Sequence, residues 1–219
     1  MKKADFCTFY IVRHGESTWN AKGIIQGHRN PRLTKKGFSQ VCSLSKKFRK
    51  INLSAVFSSD LYRAKKTAEV IALDHKLAVT SSRLLREKKY GRFEGKKARL
   101  MKAELKKLLE KRNRLPKEKR FEFKIANDIE SDQQIVSRFI TFLRQTALAF
   151  PGKKVFIVCH GALIRTFLIH LGFAEYEQLP SGSIKNTGYA VIESDGVDFF
   201  VKETSGINII PLQSNRQNR

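Results

Sequence analysis

Five side chains in this sequence could together perform one reaction: Arg13, His14, Arg63, Glu87 and His160. A phosphate monoester is a dianion, and two guanidinium groups match its oxygens with forked N–H pairs. Arg13 and Arg63 are the pair suited to that task. A neutral imidazole between two cations resists protonation and keeps its lone pair, so His14 can attack phosphorus. His160 can donate to the equatorial oxygens that bear charge during transfer. The departing alkoxide needs a proton, and Glu87 is the acid suited to give it. No metal-ligand spacing accompanies the set, and this chemistry calls for neither a metal nor a cofactor. Taken one at a time, each residue reads more readily as structural. Their joint placement is what argues for a site.

That placement depends on the elements carrying them. Thr8 to Val12 is a short β-rich run that ends at Arg13 and reads as a buried strand. Gly15, Gly23, Gly27 and Pro31 mark residues 14–33 as a loop. Thr34 can cap a helix running to about Lys50, with Phe38, Val41, Leu44 and Phe48 at helical spacing. Ala55 to Phe57 reads as a second strand, followed by a helix from about Leu61 to Leu73, and Leu77 to Leu84 as a third strand. Ala98 to Arg112 is helical and very basic, whereas Asn113 to Lys124 reads as irregular, with Pro116 breaking any helix. Asp132 is a candidate cap for a helix over Ile135 to Ala149. Val155 to Val158 is a fourth apolar strand, and Gly161 to Leu171 a helix ended by Gly172. Tyr189 to Ile192 and Phe199 to Val201 flank Asp195-Gly196 as a hairpin.

Strands alternating with helices imply an α/β fold, a three-layer α/β/α arrangement around a mostly parallel sheet. Ligands of such sheets sit at the carboxyl ends of the strands. Arg13-His14 follows the first strand, Ser58 to Arg63 the second, Glu87 the third and His160 the fourth. The polar clusters are therefore expected to converge on one edge.

Composition narrows the class. The chain has 219 residues, 41% of them hydrophobic, including 16 Phe, which is ample for a globular core. We expect one domain over 1–219, with an insertion at about 95–131 and a frayed tail from about 213 to 219. The formal net charge of +23 attracts anions of any kind, phosphorylated metabolites and nucleic acid included. Cys7, Cys42 and Cys159 show no Cys-x-x-Cys spacing, which disfavours a disulfide framework and a thiolate metal site. The apolar stretch from Val155 to Phe173 is broken by His160, Arg165 and His170, so it is not expected to span a membrane. The start lacks a cleavable leader pattern, and we expect a cytoplasmic protein. A homodimer is compatible with the sequence, which does not specify oligomeric state.

The residues around these five resemble the histidine phosphatase superfamily, also called phosphoglycerate mutase-like. Arg13-His14-Gly15-Glu16, with Asn20 downstream, is similar to the family signature, and Gln26-Gly27 and Leu33-Thr34-x-x-Gly37 continue the pattern. Ser58-Ser59-Asp60-Leu61-Tyr62-Arg63 resembles the block with the second phosphate arginine. Arg86-Glu87, followed by Tyr90-Gly91-Arg92-Phe93-Glu94-Gly95, resembles the acid block. His160-Gly161 resembles the second histidine block and Asn186-Thr187 a late turn. The blocks run from residue 8 to about 190. Asn30 and Arg32 depart from the Asp and Pro that the family often has.

The resemblance implies a two-step reaction through phosphohistidine on His14, with the other ring nitrogen held by a backbone carbonyl. Arg13, Arg63 and His160 would form the phosphate pocket, with Asn20 as an auxiliary donor. Gln26, Gly27, Tyr90 and Asn186 join the expected substrate-binding set. Glu87 would protonate the departing oxygen and then deprotonate water, which implies an acid-shifted optimum. In the mutases of the family the group returns to a bound glycerate. Those carry a longer insertion before the second histidine, with an Arg-Arg-Ser-aromatic stretch absent here, so hydrolysis is favoured and mutase activity is the alternative. A second alternative, a non-catalytic module binding nucleic acid or another anionic surface, fits the charge. It lacks a recognition helix, a zinc pattern or an aromatic RNA-binding signature.

Segment 95–131 is expected to cover the site as a lid, with cations such as Lys106 and Lys107 favouring a small phosphorylated substrate that has more than one anionic group. A solvated helix face accounts for the same charges. His28 and the rings of Trp19 and Tyr90 are minor candidates for substrate contact; His75 and His170 are assigned to structure, and Cys159 is expected to be buried.

Overall fold

The structure is a computed structural model and describes residues 5–211, so the expected tail at 213–219 lies outside the described residues. One sheet contains six strands: β1 (Cys7–Arg13), β2 (Ala55–Ser59), β3 (Val79–Ser82), β4 (Lys154–Cys159), β5 (Ile184–Ser194) and β6 (Phe199–Ile207). Their spatial order is β3-β2-β4-β1-β5-β6. The first four in that order pair in parallel, β5 lies antiparallel on β1, and β6 pairs antiparallel with β5. The helices are α1 (Thr18–Ala21), α2 (Lys35–Phe48), α3 (Tyr62–Asp74), α4 (Ala98–Glu104), α5 (Lys106–Asn113), α6 (Lys117–Glu122), α7 (Asp132–Ala149) and α8 (Gly161–His170).

Helices cover both faces of the sheet, as expected for α/β/α layers. On one face α2 and α3 bury Leu44, Phe48, Ala64, Ala68 and Ile71 against Val12, Val56, Phe156 and Val158. On the other, α7 and α8 bury Ile135, Phe139, Leu143, Leu163 and Phe167 against Phe9, Ile11, Val155 and Ile157. Successive strand residues point to opposite faces, so a central strand covered twice must be apolar throughout. Each fully buried side chain of this kind contributes roughly 1.5–3 kcal/mol. A one-residue slip would exchange both faces at once, which locks the register. That register sets Arg13 beside Cys159, and hence the two histidines that follow them side by side.

Several elements differ from the sequence expectation. Phe38 is 46% exposed, and Gly37, Val41, Leu44 and Phe48 form the buried stripe of α2. Gly37 takes the core position because a Cβ there would lie 2.0 Å from the Glu16 carbonyl oxygen, so no side chain fits. The expected helix over Ala98–Arg112 breaks at Leu105 into α4 and α5, and Leu105 is buried against Ile25, Phe93 and Ile129. Residues 117–122 are helical where an irregular stretch is expected: Pro116 precedes the first turn, where its missing N–H costs nothing. Ser131 caps α7 through a reciprocal box with Gln134, which leaves Asp132 as its first helical residue, buried and free to bond elsewhere. The third strand is shorter than expected, giving way to a 3-10 turn at Arg83–Leu85, and the hairpin strands are longer. All three cysteines are free, with Cys159 buried, and no helix among the described residues is long and apolar enough to cross a membrane.

Candidate active site

His14 begins the loop after β1, and its position is tied from three sides. Its backbone N–H donates to the Cys159 carbonyl at the end of β4 (3.1 Å). Its own carbonyl accepts from Asn186 Nδ2 (3.0 Å), on β5. Gly15 N–H donates to Thr67 Oγ1 (3.1 Å), on α3. A Cβ on Gly15 would lie 2.7 Å from the Gly37 carbonyl oxygen, so this loop packs as backbone against α2.

Two contacts set the tautomer. His14 Nδ1 lies 2.7 Å from the Gly15 carbonyl oxygen and must donate to it, while Arg63 Nε donates to His14 Nε2 at 3.1 Å. Nε2 therefore carries the lone pair. Burial, then the Arg63 and Arg13 charges, hold His14 well below the usual histidine range. The second imidazole, His160, precedes α8 and lies 5.2 Å from His14, centroid to centroid. It is fully buried, and neither ring nitrogen has a hydrogen-bond partner among the described residues. Burial and the Arg63 charge lower its pKa in the same way.

Arg63 is fully buried on α3 and donates to the carbonyls of Arg29 (2.7 Å) and Gly27 (2.9 Å). Arg13 donates to the Ile184 carbonyl, and its Nε has no hydrogen-bond partner among the described residues. Neither guanidinium bonds a carboxylate among the described residues. Burial lowers Arg63 to about 10, so it is still charged at neutral pH. Two cations with no hydrogen-bonded carboxylate among the described residues, Arg63 fully buried and Arg13 partly so, are costly to desolvate, and an incoming dianion relieves that cost. Gly161 makes room for the pair: a Cβ there would lie 3.2 Å from Arg13 Nε.

Glu87 faces this group from the loop after the 3-10 turn. Its Oε1 accepts from its neighbour's backbone, Lys88 N–H (2.8 Å), and its Oε2 from Ala162 N–H (3.2 Å), in the first turn of α8. Two side chains anchor its backbone: His28, expected only as a minor substrate contact, and Arg138, which sequence reasoning missed. Arg138 on α7 donates to the carbonyls of Glu87 (3.0 Å) and Leu84 (2.7 Å) while paired with Glu130. His28 Nε2 donates to the Glu87 carbonyl at 2.9 Å. Arg138 and Glu130 carry no motif signal, since their function depends on carbonyls more than forty residues away in sequence.

The other expected residues divide into two sets. Arg13, Asn20, Gln26, Gly27, Glu87 and Tyr90 line one cavity of about 330 Å3. The Asn20 oxygen accepts from Ser17 and from Asn186, which leaves its Nδ2 for a ligand. Asn186 itself is spent on the His14 carbonyl and on Asn20; where a turn is expected, it lies at an irregularity within β5, and Thr187 has φ 60, a strained value for a β-branched residue. Trp19 lines a separate, wider cleft with Arg29, Asn30, Arg32 and Glu94. The departure at Asn30 is harmless: its Oδ1 accepts from Tyr62 N–H at the start of α3, as an Asp oxygen could. His170 stacks on Phe121 and His75 ends α3. No group of three His, Cys, Asp or Glu side chains among the described residues could hold a metal ion.

Because both histidines are buried as neutral rings, acid should destabilise the fold. Unfolded imidazoles take up protons near 6.5 and the buried pair does not, so below that pH the unfolded chain binds more protons. Stability is then lost as pH falls, by about 1.4 kcal/mol per pH unit for each ring. Urea melts at pH 7 and 5.5 check this: His160→Gln should show a shallower dependence than the parent, and an equal slope would assign the acid sensitivity elsewhere.

The arrangement can bind a tetrahedral dianion between two guanidiniums and present an imidazole lone pair to it, with a carboxyl group opposite. Known proteins resemble this chain at family level. The model of the histidine phosphatase superfamily (branch 1) matches residues 9–205. Phosphoglycerate mutase-like protein 4 of Arabidopsis thaliana is 33% identical over 164 residues, 74% of this chain and 70% of that protein. The uncharacterized phosphatase PhoE of Bacillus subtilis is 30% identical over 183 residues, 84% and 86% of the two chains. Among solved structures, Bacillus stearothermophilus YhfR superposes with a TM-score of 0.77 at 25% identity, over 89% of this chain and 95% of that one. On the strength of the family match across the whole sheet, this chain belongs to branch 1 of the histidine phosphatase superfamily.

Proposed function

We propose that this protein hydrolyses phosphate monoesters through a phosphohistidine on His14, without a metal. The observation that carries the reading is the group itself: two buried imidazoles with depressed pKa values and two guanidiniums, neither bonded to a carboxylate among the described residues. A cationic donor set suits an anion and repels a metal ion.

In the first step the substrate phosphate takes the N–H groups of Arg63 and Arg13, releasing His14 Nε2 from Arg63 Nε. Nε2 attacks phosphorus as the ester P–O bond breaks, and the Glu87 carboxyl proton passes to the departing oxygen. The ring becomes cationic, and its Nδ1–H bond to the Gly15 carbonyl strengthens with that charge. His160 and Asn20 Nδ2 donate to the equatorial oxygens. In the second step Glu87, now a carboxylate, takes a proton from water, which attacks phosphorus and frees His14.

Hydrolysis is favoured over return to a bound glycerate by the short span between Glu87 and His160 and by the breadth of the match to the phosphatase relative. The relative named phosphoglycerate mutase-like keeps the mutase as the second reading. The test is phosphate release from a panel of phosphomonoesters in chelator at mildly acidic pH. Release should persist in chelator. Interconversion of the two monophosphoglycerates outpacing phosphate release would make the protein a mutase, and abolition by chelator would remove the metal-free mechanism.

A further inference from the structure

Glu87 lies in an irregular stretch between two 3-10 turns, Arg83–Leu85 and Gly91–Phe93, so no sheet or helix ladder fixes its backbone. Side chains do so instead. The Glu87 carbonyl accepts from Arg138 Nη2 (3.0 Å) and from His28 Nε2 (2.9 Å), which uses both of its lone pairs. That carbonyl belongs to the same rigid peptide as the Lys88 N–H, and the Lys88 N–H donates to Glu87 Oε1 (2.8 Å). Bonds made at one end of the peptide plane therefore set the direction of the N–H that holds the carboxyl group at the other. The second oxygen, Oε2, takes the Ala162 N–H, a first-turn donor that no helix carbonyl reaches.

Arg138 is placed to keep this plane still. It stands on α7, a helix packed into the core through Ile135, Phe139 and Phe142. Its Nη1 donates to the Leu84 carbonyl (2.7 Å), and its Nε and Nη2 to the two oxygens of Glu130 (3.1 and 3.2 Å). Glu130 closes the arrangement: its Oε2 accepts from Lys89 N–H (2.7 Å), and its own N–H donates to the Lys89 carbonyl (3.1 Å). One planar fork thus grips residues 84 and 87 and, through Glu130, residue 89. A flexible ammonium cannot reproduce that span. Burial raises the Glu130 carboxyl pKa, but the bonds and charge of Arg138 outweigh it and hold Glu130 below the usual carboxylate range, so the pair is ionised near neutrality.

We propose that Arg138 is a positioning residue for proton transfer, acting through the Glu87–Lys88 peptide plane to aim the Glu87 carboxyl group, with Glu130 as its anchor. It rests on the reading of Glu87 as the acid and base of the reaction. No hydrogen bond among the described residues joins Arg138 to His14, Arg13 or Arg63, so phosphate binding and nucleophilic attack should not depend on it.

Arg138→Lys tests this, since it keeps the positive charge and loses the planar fork. On an alkyl phosphate it should lower kcat by about 10–10^2-fold with KM nearly unchanged, the cost of a misaimed group. With 4-nitrophenyl phosphate, whose leaving group needs no proton, the rate of phosphoenzyme formation should stay within about twofold of the parent. A merely structural residue would lower both together. In the Glu87→Gln background the same substitution should add almost nothing, because residues that act as one unit are not additive. Arg144→Gln, at an exposed position of the same helix, should leave every value unchanged. The Ala162 amide gives a readout without turnover. By NMR hydrogen exchange it should be protected in the unliganded parent and lose that protection in Arg138→Lys, while the amides of β4 keep theirs. Equal losses on the alkyl and aryl esters, full additivity with Glu87→Gln, or an Ala162 amide that exchanges alike in both proteins would overturn the assignment. Phosphate release by the parent judges the hydrolase reading separately, so either can fail while the other stands.

Discussion

His14→Ala should lower phosphate release at least about 10^4-fold, the scale seen when an enzyme loses its nucleophile. The substitution removes the lone pair that faces the Arg63 guanidinium, since Nε2 is the acceptor that Arg63 Nε approaches at 3.1 Å. Arg13, Arg63 and His160 would still hold the phosphate, so KM should change far less than kcat. Quenching the parent protein during turnover of a labelled ester should trap a phosphoryl group that is stable to alkali and labile to acid, on His14 alone. A variant retaining a tenth of parental activity, or label on another residue, would remove His14 from the nucleophile's role.

Glu87→Gln should reduce kcat on alkyl phosphates by about 10^2–10^4-fold, the usual range for a positioned acid or base. The amide keeps the size of the carboxyl group, and its oxygen can still accept from Ala162 N–H or Lys88 N–H, so geometry is largely retained. What it lacks is a transferable proton. A further readout follows from that. An aryl phosphate with a good leaving group needs no proton to depart, so its first step should be spared and phosphoenzyme should accumulate. Acid acts on a different group: burial and the Arg63 and Arg13 charges depress His14, so its lone pair survives well below the usual histidine range and acid should not protonate the nucleophile near neutrality. A variant whose leaving-group dependence matches the parent's would show that Glu87 only shapes the pocket.

The strands carrying these groups were legible because chemistry and hydrophobicity change together at their ends. Thr8 to Val12 and Val155 to Val158 are apolar runs that stop at Arg13-His14 and at Cys159-His160. A buried parallel strand has to read that way, so the edge where the polar clusters meet follows from local pattern alone. Helix ends with a strong cap were equally clear, as at Thr34, whose side chain accepts from Gly37 N–H. Phe38 misled because a hydrophobic residue at helical spacing normally faces the core. Here the close approach of Gly37 to the Glu16 carbonyl claims that face, and a backbone contact across eighteen or more positions leaves no trace in periodicity.

By itself, then, the sequence determined the α/β/α class, the edge of the sheet where the polar clusters meet, and the residue types proposed for phosphate binding and proton transfer. These depend on strand burial, caps and side-chain inventory, which are local properties. Only the tertiary structure decided which side chains reach which. It placed Asn186 behind His14, anchored Glu87 from Arg138 and His28, and put Trp19 in a separate cleft from Tyr90. It also separated the cations inside the cavity, Arg112 and Arg165, from the exposed Lys106 and Lys107. A side chain's partners and its exposure are set by segments distant in sequence, and a lysine-rich helix reads the same whichever face it turns to the site.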